Sequence, residues 1–225
     1  MQKRQFTAGL LLASVLALDP VRAAGLSDAD AGWGIRSAIE RGATAAVASL
    51  GRNDGFLGNP KVRIPLPAVL QDAAKLLKAT GQQKRVDELV VAMNRAAEAA
   101  MPQARTLLVS TAKAISVEDA VAIVRGGDNA ATEYFARKTR APLFEQFLPI
   151  VTRETGKLAL TEKFNAVAGQ AAKLGLLKGD QANIERYVTA KSLDGLYLMI
   201  AEEERNIRRD PIGTGSAILK KVFGA

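Results

Sequence analysis

Carboxylates, amides and hydroxyls are the groups through which this chain can do chemistry. Its 225 residues include neither cysteine nor histidine. Cysteine nucleophiles, Ser-His-Asp triads and the usual zinc sites are therefore excluded, and any catalysis must rest on Asp, Glu, Lys, Ser, Thr or Tyr. Spacing singles out a few of these. Helical residues turn by about 100° each, so a helix over 82–101 places Asp87, Asn94 and Glu98 within about 40° of one another. They lie at one edge of a stripe made by Val86, Leu89, Val90, Met93, Ala97 and Met101, while Arg95 points farther round. Polar groups at such an edge either satisfy one another across a helix interface or line a cleft, and both readings stay open. Glu204 is sharper. It falls inside the stripe of Leu193, Leu196, Tyr197, Ile200 and Ile207. A buried carboxylate without a partner is very costly, and Arg208, four residues on, is the nearest cation. The spacing predicts Glu204 at least half buried and paired, with Glu202, Glu203 and Arg205 on a solvated face.

The stretch "GGDNAATEYFARKT", residues 126–139, raises a different chemistry. A glycine pair before a helix start can offer amides to an anion. No strand precedes it, however, and neither nucleotide-loop fingerprint fits. Gly126 as a helix stop and Asp128 as the next N-cap explain it without a ligand. In the helix that follows, Ala131 and Phe135 face the core, Thr132 and Thr139 lie at one edge, and Tyr134 and Lys138 at the other. "STAK" (110–113) has the S-x-x-K spacing of penicillin-recognising enzymes but lacks their S-D-N and K-T-G partners. "NDGFLGNP" supplies oxygen ligands without the spacing of an EF-hand loop. No metal and no cofactor is assigned.

The elements that must position these groups are helices. The chain is alanine-rich with helical spacing almost throughout and no alternating strand, which gives an all-α fold: a single-domain multi-helix bundle over residues 24–225. Ser27 caps the first helix, with Asp28 and Asp30 in its first turn, and Gly51 stops it. Residues 51–67, rich in Gly, Pro and Asn, form a long loop on the N-terminal side. Helices follow over 67–80, 82–101 and on to Ala114, then from "SVED" (116–119), whose Asp119 sits in a first turn. Further helices start near Asp128, at Thr161 and at 181, and "AILKKVF" closes the chain after a corner at 174–180. Pro102, Pro142 and Pro149 are expected to bend or restart their helices.

The N-terminus reads as a cleaved signal peptide over residues 1–23. Lys3 and Arg4 precede an apolar core at 6–18 that is too short to span a bilayer, and "VRA" offers a cleavage site. With no cysteine for lipidation, the expected product is a soluble periplasmic protein. The formal charge of +8 loses Lys3, Arg4, Arg22 and Asp19, a net +2, and becomes +6. That balance favours anionic neighbours such as lipid head groups and glycan phosphates. Nucleic acid is not expected as a partner, since no Lys/Arg stripe interleaves with aromatics. The short basic C-terminus allows only weak contact with an anionic membrane surface.

Four stretches carry a family likeness: "DGFLGNPKVRIPLP" (54–67), "NRAAEAAMPQA" (94–104), "SVEDAVAIVRGGDNAATEYFARKT" (116–139) and "LDGLYLMIAEEERNIRRDP" (193–211). In order, and over nearly all of the chain beyond the signal, it resembles the exported bacterial proteins catalogued as domain of unknown function 4197. The resemblance implies a helical, exported protein of Gram-negative bacteria with no settled catalytic residues. Its motifs coincide with Asn94, Glu98, Asp119, Thr132, Tyr134 and Glu204, the groups picked out by spacing. The function expected is non-enzymatic: binding of a small ligand or an envelope protein in a polar-edged cleft between helices, or an accessory role in envelope maintenance. The alternative is a carboxylate hydrolase of envelope glycans using two of Glu98, Asp119 and Glu204, which would need about 5 to 9.5 Å between them.

Overall fold

The computed structural model describes residues 27–173 and 183–224. The signal segment at 1–23 and the corner at 174–180 lie outside the described residues. Among the described residues there are eight helices and no strand: α1 (Asp28–Leu50), α2 (Ala68–Ala79), α3 (Gln83–Lys113), α4 (Val117–Val124), α5 (Ala130–Lys157), α6 (Leu160–Lys173), α7 (Ile184–Arg209) and α8 (Ala217–Phe223). The fold is all-α, as the periodicity predicts.

Local sequence sets most boundaries. Ser27 and Asp30 close a reciprocal capping box at the start of α1, which satisfies two amides that a helix start leaves free. Ser116 caps α4 by accepting from the amide of Asp119. The prolines behave differently from expectation. α3 runs unbroken through Pro102, and α5 through Pro142 and Pro149. Each proline removes one helical hydrogen bond, a cost of about 3 kcal/mol that dense packing on both sides offsets. α3 packs on α1 and α5, and α5 packs on α3 and α7.

One apolar cluster joins all of α1 to α7, from Ile35 and Leu50 through Leu89, Met101 and Phe135 to Leu196 and Ile200. Two glycines let backbones close in on it. A Cβ at Gly34 would overlap Val222, so α8 lies against α1 there. A Cβ at Gly195 would come within 2.8 Å of the Phe56 ring. That contact seats the 51–67 loop on α7. No helix among the described residues is long and apolar enough to cross a membrane.

Candidate functional site

The structure divides the six candidate residues between two places. Asn94 and Glu98, both on α3, hold the long loop. The Asn94 side-chain oxygen accepts from the Ile64 amide at 2.8 Å, and its amide nitrogen donates to the Ile64 carbonyl at 2.9 Å. One side chain thus mimics the paired hydrogen bonds of a strand neighbour. The Glu98 Oε1 atom accepts from the amides of Phe56 and Leu57, both at 3.0 Å. Its other oxygen meets Arg95 at 2.6 Å, and Arg95 also reaches Asp54 at 2.7 Å. Asp54 sits in the left-handed region at φ 61°, which a short acidic side chain tolerates better than most residues. Asp87, which the spacing groups with Asn94 and Glu98, turns instead to Lys78 at 3.8 Å on the surface.

The second place is the start of α5. Glu204, 2% exposed, accepts from the amides of Ala131 at 3.0 Å and Thr132 at 2.8 Å, and from the Thr132 hydroxyl at 2.7 Å. Arg208 completes the set at 2.9 Å. The helix start does hold an anion, and the anion is a carboxylate of α7. Free amides and the positive helix end together favour negative charge there. This corrects the expectation for Asp128. α5 starts at Ala130, its N-cap is Asn129 with no side-chain cap bond, and Asp128 is exposed. Arg208 also points toward the last carbonyls of α4, at 3.3 Å from Ile123 and 3.5 Å from Val124, and stacks on the Phe223 ring at 4.8 Å. One ion pair therefore ties together α4, α5, α7 and α8.

Asp119 and Tyr134 join α4 to α5 beside this junction. The Tyr134 hydroxyl donates to the Asp119 carboxylate in a short hydrogen bond, and the Ser116 hydroxyl donates to the same oxygen at 2.6 Å. Those two bonds, Ser116 first, hold the Asp119 carboxyl below its ordinary value. Burial, reinforced by the Asp119 hydrogen bond and charge, pushes the Tyr134 phenol up to about 12. Thr132 and Thr139 are buried rather than edge residues, and Thr139 bonds the Tyr197 hydroxyl at 2.9 Å.

Spacing missed Glu154. It is 5% exposed on α5, held by Lys157 at 2.8 Å and Arg153 at 3.2 Å. Lys157 lowers its pKa most, against the opposing effect of burial. The signal was present in the sequence, because Glu154 continues the stripe of Phe147 and Val151 at helical spacing.

None of the six candidates lines the recess that opens beside them. That hollow, about 590 Å³, lies between the start of α1, the end of α4 and α8. Val121, Val124, Val222 and Phe223 supply its apolar wall, Arg125 and Arg208 its cations, and Asp28 and Asp128 its acids. Among the described residues, no three His, Cys, Asp or Glu side chains gather as a metal site would require.

These features define a class: an all-helical protein whose buried acids bind main-chain amides and whose surface carries a recess of mixed apolar and charged lining. The chain belongs to the family described as Protein of unknown function (DUF4197), whose model matches residues 25–224. No curated protein and no solved structure matches it.

Proposed function

We propose that the protein is exported to the periplasm and works there by binding, not catalysis. Its ligand is a small amphipathic molecule held in the recess between α1, α4 and α8. The observation that carries this reading is the position of Arg208. Its side chain is 13% exposed, its orientation is fixed by Glu204, and it stands beside Val124, Val222 and Phe223 in a wall that Arg125, Asp28 and Asp128 share. A concave site that combines apolar side chains with a few fixed polar groups suits a small molecule with an apolar body and a polar end. The apolar side chains would take the body of the ligand, and Arg208 with Arg125 its polar or anionic end. The signal-like pattern of residues 1–23 supports export.

The glycan-hydrolase alternative draws little from the geometry. Glu98 and Glu204 already spend their oxygens on backbone amides and arginines. Asp119 is held below its ordinary pKa by Ser116 and Tyr134, the wrong direction for a general acid.

Native mass spectrometry of the protein drawn from the cell envelope tests both parts. The expected polypeptide mass begins at Ala24 and carries a small-molecule adduct, which Val124→Trp, by filling the recess, removes. A bare polypeptide, or an adduct retained unchanged in Val124→Trp, would overturn the binding site. An intact Met1 would overturn export.

A further inference from the structure

Arg186 stands where helix electrostatics disfavours it. It lies in the first turn of α7, whose positive end repels a cation. Its guanidinium stacks on the Phe144 ring of α5 at 4.8 Å, and it forms no ion pair with another described residue. Arg137 and Arg140, one turn apart on α5, line the same groove, a hollow of about 660 Å³ whose wall holds one acid, Glu145. Arg140 is ion-paired with Asp194 and lies 5.8 Å from the Tyr197 ring centroid. Asp194 is shared, because Lys191 meets it at 3.1 Å. Three guanidiniums thus face one hollow with too few carboxylates to neutralise them. Like charges at this spacing repel, so the arrangement is stabilised by whatever anion enters.

We propose that the groove formed by Arg137, Arg140, Arg186 and Phe144 is a binding site for a phosphorylated ligand. The planar fork of a guanidinium matches two phosphate oxygens at once, and several arginines match the charge of a phosphate better than that of one carboxylate. Phe144 with Pro142 and Ala141 offers a flat apolar surface for the body that the phosphate carries. Arg186 stacked on Phe144 is already oriented, so little side-chain freedom is lost on binding. The site is separate from the recess at Arg208. The two arginines are 22 residues apart on α7, roughly 33 Å along the helix, so either site can fail without the other.

The test uses the full chain, with inorganic phosphate as the soluble probe and phosphatidylglycerol-containing vesicles as the surface probe. Arginine side-chain resonances follow the phosphate titration, and sedimentation follows the vesicles against pure phosphatidylcholine. Binding is expected with one or both probes, with phosphate shifts concentrated at Arg137, Arg140 and Arg186. Binding to free phosphate identifies a soluble phosphate ester as the source; binding to vesicles alone identifies a lipid head group. The double variant Arg137→Gln, Arg186→Gln should weaken binding about tenfold, since two charge-assisted contacts are lost. Both arginines are exposed, so its thermal melt should match that of the parent. Glu145→Gln should tighten binding by removing the acid in the wall. The proposal is overturned if neither probe binds, if the double variant binds like the parent, or if the shifts spread equally to remote arginines such as Arg52.

Discussion

Glu98 and Glu204 are the same residue type doing the same local task in two different settings. Each is at least nineteen-twentieths buried, each accepts two main-chain amides, and each is paired with an arginine on its own helix. Glu98 holds a loop, and its Arg95 partner remains 29% exposed with Asp54 as a second acceptor. Glu204 holds a helix start, and its Arg208 partner is 13% exposed and enclosed by α4 and α8. A clamp on a loop can be released into water. A junction of four helices cannot be released without stranding a charge. The difference makes the loop clamp purely architectural, whereas the junction also presents a fixed cation to a recess.

Removing each acid in turn should separate the two. Glu204→Ala strands the Arg208 guanidinium and should cost about 3 to 5 kcal/mol in urea unfolding, the range for breaking a buried ion pair. Glu98→Ala leaves two loop amides unpaired, but Arg95 keeps water and Asp54, so the expected loss is about 2 to 3 kcal/mol. Equal losses, or a larger one at Glu98, would break the comparison.

The Asp119–Tyr134 bond beside the junction should give a pH signature that the loop clamp lacks. The Tyr134 phenol is raised from 10.0 to about 12 in the fold. Its contribution to stability is therefore fully present below pH 10 and is lost as the pH rises through the folded value. Denaturation midpoints should fall across that window, and the fall should be smaller in Tyr134→Phe. Asp119 works in the opposite sense, since its pKa is lowered. Its contribution is present above the ordinary carboxyl value and lost as the pH drops through the folded one. The smallest effect should come from the loop's outer tether. Lys61 meets Glu202 at 2.6 Å with the lysine side chain 61% exposed, and Lys61→Ala should change stability by about 0.5 kcal/mol or less.

The two regions were not equally legible in the sequence. Glu204 announces itself as a charge inside an apolar stripe, and the partner it needs, Arg208, lies one turn away. Asn94 and Glu98 announce only that they stand at an edge. Their partners are the main-chain groups of Ile64, Phe56 and Leu57, and an amide has the same character whatever residue carries it. Capping rules misplace Asp128 because they weigh only nearby side chains. The acceptor that occupies the amides of α5 comes from 72 to 73 residues along the chain. The helices themselves were readable because their stripes are regular. The continuity of α3 and α5 through three prolines was not, because packing decides it.

Amide hydrogen exchange tests most directly the claim that buried acids here bind backbone. The amides of Phe56, Leu57, Ala131 and Thr132 should all exchange slowly in the parent protein, although Phe56 and Leu57 lie in a loop with no helix to protect them. In Glu98→Ala, which removes the acceptor, Phe56 and Leu57 should lose protection while Ala131 and Thr132 keep theirs. Loop amides that exchange as fast as that of exposed Asn53 in the parent, or keep full protection in Glu98→Ala, would contradict the account.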